Sequence, residues 1–552
     1  MRAGRMLPAL AACALAAAPL HAAAEQTPAD QADPSVVEDE LRDEAPQPSK
    51  PRRIVEAPAV GESATAVTEP VLAGAIRIDG TEALPQAAFA GVVERYVGRT
   101  LSSGDLRALA SDIAAAARGS GYGLATAWIP PQRVANGLLR VRLDEGRIDA
   151  VEVTGSGRAA AERRLAPLAD GRPIRTSELE RRLLLAEDAA GVRMGKARLV
   201  RRKGRNVLVV SARQERVEGR ASLDNWGSST AGPVRARLSI DLNGVFAADD
   251  RLSLDGVVTP LQPDEFALVR AGYTAAVGND GTEVSVGGYV ARSEAGGALS
   301  DRDLDGDSTE VEAEVRHPLV RSREGSVWAS VGAKLRDSGQ TRDDVAVRDD
   351  RLATVTASAY AFRQLEGGRL RGRVSLVQGL GILGATRMGD PLASRADADG
   401  AFTKFELWGE YEQRLGYDFS FLFQAEAQFA DGPLLSSEEM GLGGRWFGRA
   451  WDYREFSGDR GAAGALEVRY LWKRPASFVE AAQLYLYADG GSVGNYAGGG
   501  GGGSLASAGG GVRLWLPSRV RASLELGVPL TDGGQPARDD DPRVSMTLDK
   551  KF

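Results

Sequence analysis

Between residues 301 and 312 the spacing of acidic side chains is one that metal chemistry uses. Asp301, Asp303, Asp305, Gly306, Asp307 and Glu312 fit the pattern D-x-D-x-D-G-x5-E. Carboxylates at loop positions 1, 3, 5 and 12 can wrap one Ca²⁺, and a glycine at position 6 permits the sharp turn. Ser308 stands where such loops carry an apolar residue, and the flanks read as strands rather than helices. The two readings are a calcium loop in an external segment and a solvated acidic loop. Other chemistry has little material. The chain has two histidines, His21 and His317, and one cysteine, Cys13. That excludes a multi-histidine metal site, and a Ser-His-Asp triad could draw only on His317. His317 precedes Pro318 at the end of a strand-like run and reads as structural. There is no phosphate-binding loop, and the glycine run 498–503 has no strand-to-helix switch behind it. An enzyme is the weakest of the functional readings, and no cofactor is required.

The elements that would position any site are set by composition and pattern. A chain of 552 residues is too long for one core. Charged residues are 26% and mean hydropathy is −0.23. No apolar run long enough for a membrane helix follows the N-terminus. A transmembrane barrel stays open, because its strands alternate apolar and polar residues and their hydropathy cancels. Residues 1–24 read as a secretory signal peptide: Arg2 and Arg5 are basic, Met6–Leu20 is apolar, and Ala22-Ala23-Ala24 offers small residues for cleavage. A rival reading is lipoprotein processing at Leu10-Ala11-Ala12-Cys13. Loss of the two arginines takes the formal charge from −7 to −9, an acidity that argues against a nucleic-acid partner.

Residues 25–70 are acidic, rich in Pro and Ala, and aperiodic, as in a disordered linker. Ser35–Ala45 is its one candidate helix. Residues 71–148 and 149–215 then repeat the order β-α-α-β-β. AGAIRIDG, GLATAWI and GLLRVRL are the first unit's strands, and Ser102 with Asp105 predicts a helix N-terminal box. From 216 to 552, segments of about ten residues alternate apolar and polar. Phe405, Leu407, Gly409 and Tyr411 oppose Lys404, Glu406, Glu410 and Glu412. Sixteen such strands can be placed, joined by short turns (AADD, NDG, REG, EGG, GYD, RPAS, PSR) and by long loops around 294–308, 337–350, 379–400, 430–463, 489–505 and 531–541. Asp489 shares a face with Gln483, Tyr485 and Tyr487, opposite Leu484 and Leu486, so it points into the predicted lumen.

The repeated unit resembles the POTRA domain. GYGLATAWIPPQRVANGLLRVRLDEGRI, with Ile129, Pro130, Pro131, Gln132, Gly137, Glu145 and Gly146, resembles the first POTRA of the two-partner secretion transporters (TpsB; haemolysin secretion/activation proteins). LERRLLLAEDAAGV and LDNWGSSTAGPVRARLS resemble their second POTRA and first barrel strand. The segment Ser436–Gly461 resembles the sixth external loop of the outer-membrane assembly factor superfamily, where a V-R-G-F/Y tip folds back into the lumen. The matching residues are Gly448, Arg449, Ala450 and Trp451, with Gly for Val and Ala for Gly. YADGG resembles the F-x-D-x-G of the next strand, matching at Tyr487, Asp489 and Gly491. The ending RVSMTLDKKF, with Phe552 terminal, resembles a barrel sorting signature. These resemblances imply an all-β transmembrane barrel of sixteen antiparallel strands behind two α+β POTRA domains. They imply a cell outer membrane location with N-terminal domains in the periplasm. The implied function is export of an unfolded exoprotein client that carries an N-terminal secretion domain. Barrel-assembly machinery for insertion and outer-membrane lipid are the other implied partners. Arg449 would pin the loop on Asp489; the plainer reading is a loose surface pair of about 0–1 kcal/mol. In some family members an N-terminal helix plugs the pore, but the acidic, proline-bounded sequence of Ser35–Ala45 argues against that role here. Rival functions are an assembly factor of the same superfamily and a porin-like or adhesive barrel.

Overall fold

A computed structural model describes residues 30, 32–41, 55–56, 70–203, 205–496, 500–533 and 541–552. The predicted signal peptide, Cys13, His21 and most of the 25–70 linker lie outside the described residues.

The first α+β unit has the three-stranded sheet Ala75–Asp79, Leu138–Asp144, Thr126–Trp128, in that order. Its helix Ser103–Gly119 begins where the sequence predicts. Ser102 accepts from the Asp105 backbone N–H and Asp105 accepts from that of Ser102, so two orphan donors of the first turn are satisfied. These bonds hold the Asp105 carboxyl below its ordinary value. Their stabilisation is therefore present above the usual carboxylate range and lost as pH falls through the lowered value. Leu106, Leu109, Ile113 and Ala117 recur at helical spacing and bury against Leu139, Val141 and Leu143. The second unit repeats the plan with strands Ala150–Thr154, Val192–Arg202 and Arg205–Gln214 and helices Arg158–Leu165 and Thr176–Glu187. A two-residue strand from the linker, Val55–Glu56, adds to its edge in parallel.

Sixteen antiparallel strands, from Val217–Asp224 to Arg543–Lys551, close into a barrel, so no sheet edge is left to hydrocarbon. The fold class matches the sequence expectation. Val269, Val286, Val311, Val331, Leu376, Phe423, Leu486, Leu526 and Met546 stand exposed on the outer wall. A band of that extent suits lipid rather than water. The closing seam is short, from Arg220↔Lys551 to Asp224↔Thr547. Phe552 extends it by exchanging backbone hydrogen bonds with Gly219.

Two sequence expectations for connections change. The segment 337–350 is not a long loop. Strands Gly325–Arg342 and Val345–Leu365 run on to a two-residue turn at Asp343-Asp344. Both aspartates have positive φ, the conformation that matches hairpin twist and that Asp tolerates. The calcium loop is not formed either. Asp303 turns the chain with φ +43°, and Leu304–Arg321 is one continuous strand. Side chains alternate along a strand, so Asp305 and Asp307 lie on the opposite face from Glu312. Among the described residues no three His, Cys, Asp or Glu side chains gather to hold a metal ion. Titration of the purified protein with Ca²⁺ in a calorimeter is expected to give no saturable heat from this segment, and one that vanishes in Asp305→Asn/Asp307→Asn would overturn this reading. His317 shares a hydrogen bond of 2.8 Å with Thr282 beside a bulge at Pro318/Val320.

Helix Pro34–Leu41 sits in the lumen. The predicted Ser35–Ala45 helix starts one residue earlier, and Asp33 accepts from the Ser35 backbone N–H at 2.8 Å. The acidity that argues against a lumenal role is what seats it. Glu40 pairs with Arg235 at 2.5 Å, and Arg235 also reaches Asp224. Glu38 pairs with Arg270, and Asp30 with Arg348 at 2.5 Å. Val37 and Leu41 pack on Phe266, Leu268 and Tyr289.

Candidate functional site

The sixth external connection, between strands Phe419–Ala430 and Arg460–Ala476, folds inward. Met440–Leu442 pairs antiparallel with Phe456–Gly458 as a small hairpin. Its apolar residues Met440, Leu442, Phe447, Trp451 and Phe456 pack against wall residues Ala463, Ala465, Val493 and Leu505. The tip turns at Gly448, where φ is +78°. A β-carbon is disfavoured in that conformation, so the glycine in place of the usual valine matches the backbone. Trp451 is buried, and its backbone N–H donates to the Gly448 carbonyl at 2.9 Å. Gly491 marks the wall opposite the hairpin: a Cβ there would lie 2.7 Å from Leu442 and 2.8 Å from the Ala462 carbonyl.

Arg449 is 4% exposed and lies among three carboxylates. Its Nε is 3.1 Å from Asp489 Oδ2, an ion pair without an aligned hydrogen bond. Its Nη1 donates to Glu467 Oε1 at 2.8 Å and Glu525 Oε2 at 3.3 Å. The guanidinium stacks 4.1 Å from the Tyr487 ring centroid. Asp489 Oδ1 accepts from the Gly448 N–H at 3.0 Å and from the Ser507 hydroxyl. The loop tip is thus held by its side chain and its backbone to one aspartate. Glu467 is shared outward with Arg513 and Arg469, which places the cage in a wider lumenal charge network. The structure therefore brings together Gly448, Arg449, Tyr487 and Asp489. Glu467, Glu525 and Ser507 are the partners that sequence reasoning missed. The signal available was parity, since all three occupy lumen-facing positions of their strands.

The first-POTRA marker residues are distant from this cage and have local structural contacts. Glu145 is 1% exposed. Its carboxylate accepts backbone N–H groups of Glu82, Ala83 and Leu84 at 3.1, 2.7 and 2.8 Å. Gln132 donates to the Arg140 carbonyl at 2.7 Å and accepts from its N–H at 2.9 Å, so its amide extends the sheet ladder. Ile129 is buried, Pro130 and Pro131 lead the chain out of the sheet, and Gly137 and Gly146 have positive φ. Glu145→Ala is expected to unpair three backbone donors and cost the domain about 2–4 kcal/mol. Limited proteolysis of the first POTRA in the intact protein reads this directly, and unchanged protease resistance would contradict it.

The second POTRA is fastened to the short-turn end of the barrel, again through residues not singled out by sequence. Buried Arg164 pairs with Asp249 at 2.7 Å. Arg321 grips Asp188 with two hydrogen bonds of 2.6 and 2.7 Å, and Arg182 reaches Asp280 at 2.8 Å. The short connections therefore face the POTRA side, as barrel architecture expects of periplasmic turns.

Comparison with known proteins agrees with this architecture. The family described as haemolysin secretion/activation protein ShlB/FhaC/HecB matches residues 204–514. The ShlB-type POTRA domain matches residues 73–146. The heme/hemopexin transporter protein HuxB of Haemophilus influenzae strain 86-028NP is 23% identical over 366 residues, 64% of this chain and 64% of that protein. The match thus spans somewhat under two thirds of the relative's length. Among solved structures, CdiB from Escherichia coli superposes with a TM-score of 0.72 at 18% identity, covering 90% of this chain and 93% of that one. CdiB from Acinetobacter baumannii gives 0.65 at 15% identity, covering 95% and 99%. The family match over more than half of the chain, on a sixteen-strand barrel behind POTRA units, makes this protein an outer-membrane member of the haemolysin secretion/activation family ShlB/FhaC/HecB.

Proposed function

We propose that this chain is the transporter of a two-partner secretion pair. Its POTRA domains receive an unfolded exoprotein with an N-terminal secretion domain in the periplasm, and the barrel passes it outward without nucleotide hydrolysis. The inward-folded sixth loop is the gate, with Arg449 and its carboxylate cage as the latch. The observation that carries this reading is the caged loop tip in a lumen whose periplasmic mouth bears the POTRA units. A passive porin has no use for a receptor arm fastened by buried ion pairs. In this reading the strand ending at Phe552 directs insertion by the barrel-assembly machinery into outer-membrane lipid. The test is co-expression with a large exoprotein encoded beside this chain, and immunoblotting of the culture medium. Export that needs this chain and is lost on deletion of residues 73–146 supports the reading. Export unaffected by removing the whole chain defeats it.

A further inference from the structure

The second POTRA sheet has two faces of very different character. Its inward side chains Ala197, Leu199, Leu208, Val210 and Ala212 are buried against the domain's own helices. Those helices face the barrel, through Arg164 on Asp249 and Arg182 on Asp280. In a two-layer domain the other face of the sheet then points away from the barrel, into the periplasm. That face is basic. Lys196, Arg198 and Arg202 lie on it along the edge strand, with Val200 between the last two; Arg201, Lys203 and Arg205 crowd the strand's hairpin turn, and all six are exposed. Arg202 pairs with Glu152 at 2.7 Å. Lys196, Arg198, Arg201 and Lys203 have no ion-pair partner among the described residues. Like charges at this density repel one another, so they add to binding rather than to folding.

The edge itself supplies the second observation. Strand Val192–Arg202 has eleven residues, yet on its outer side only Val55 and Glu56 pair with it, opposite Ala197 and Arg198. The edge therefore already accepts an extended segment in parallel, and most of its length is unoccupied among the described residues. In sequence the seated pair is preceded by Arg52 and Arg53 and followed by residues 57–69, which carry Glu62 and Glu69 and no Lys or Arg.

We propose that strand Val192–Arg202 is the docking edge for an extended acidic segment of the secreted client, which adds to the sheet in place of the linker strand Val55–Glu56. This rests on the transporter reading above. Backbone pairing supplies affinity that does not depend on client sequence, and the charged row supplies selection. Lys196 and Arg198 stand two residues apart on one face, about 7 Å, and Arg202 lies four residues beyond Arg198, about 13 Å, with Val200 between them. A client strand with acidic residues at every second position would present carboxylates at the same repeat. Binding by this surface is steered by charge and weakened by salt.

The test uses the full chain in detergent micelles and a fluorescein-labelled twelve-residue peptide with Glu at alternate positions and Val or Thr between. Anisotropy at low salt is expected to show binding that Lys196→Glu/Arg198→Glu weakens at least tenfold. The same peptide with Lys for Glu is expected not to bind. Glu56→Pro, which disrupts the resident strand, is expected to tighten binding several-fold. Equal affinity for the Glu and Lys peptides, or no effect of the charge reversal, would overturn the proposal. So would reversal-sensitive binding of purified cell-wall sacculi with no peptide binding, which would assign the patch to the anionic wall. In cells, normal export by Lys196→Glu/Arg198→Glu beside failed export by Arg449→Ala overturns the docking edge and leaves the transporter reading standing.

Discussion

Arg449→Ala is expected to abolish export of the client while the barrel still inserts in the outer membrane. The side chain is almost fully buried and answers three carboxylates, Asp489, Glu467 and Glu525. Removing one partner of a buried ion pair typically costs about 3–5 kcal/mol, because the charge left behind has no solvent to replace the partner. Here Glu467 keeps Arg513 and Arg469, so the loss falls mainly on Asp489 and Glu525. A shift of that size moves the ratio of held to released loop by roughly a hundredfold or more (1.4 kcal/mol is about tenfold). The barrel ladder does not pass through Arg449, which is why insertion and heat-modifiable migration on gels should survive. Arg449→Lys is expected to rescue poorly. An ammonium is a point charge, whereas the guanidinium reaches separate acceptors with its fork and stacks on Tyr487. Asp489→Asn should fall between the two, since its amide oxygen still accepts the Gly448 N–H. Normal secretion by Arg449→Ala would remove the latch assignment.

How far the sequence discloses this site depends on the range of each interaction. The barrel wall is legible because alternation is local: every second residue of Thr403–Gly416 reports its own face. Asp489 is legible for the same reason, and Arg449 because its tip has a recognisable tetrapeptide. Glu467 and Glu525 are not, since each is one acid among many lumen-facing ones. Barrel closure decides which of them meets the loop, and Glu525 lies 76 residues from Arg449. The acidic spacing at 301–312 misleads for a related reason. A twelve-residue loop pattern carries no information about strand pairing, and pairing of Leu304–Arg321 with both neighbours outcompetes the turn. The fastening of the second POTRA is illegible too, because Asp188 and Arg321 are 133 residues apart and each reads as an ordinary surface charge.

The lumenal helix is the clearest case of a local reading reversed by distant partners, and it sets the second large effect. Ser35–Ala45 alone reads as a short acidic helix unsuited to a plug, because the arginines that answer it and the preceding Asp30 lie 195 to 318 residues away, Arg235 and Arg348 among them. Once the barrel closes, Glu40 faces Arg235, and Glu38 faces Arg270 and Arg336. The segment just before the helix also touches the sixth loop, since the Ser436 hydroxyl at the loop's root donates to Asp30 at 2.8 Å. Glu38→Lys/Glu40→Lys is therefore expected to expel the helix and open a conducting path. Each reversal replaces a buried attraction with a like-charge contact, and double substitution should reduce occupancy of the seated state by at least a hundredfold, about 3 kcal/mol. Planar-bilayer recordings should show larger and longer openings than the unaltered protein, and cells should become sensitive to antibiotics normally excluded by the outer membrane. Deleting residues 30–41 should give the same phenotype. Adding Arg235→Glu to Glu40→Lys restores an ion pair with its sense exchanged and should partly reseat the helix, a coupling that only direct contact produces. Conductance unchanged in both the double reversal and the deletion would mean that the helix does not occlude the pore.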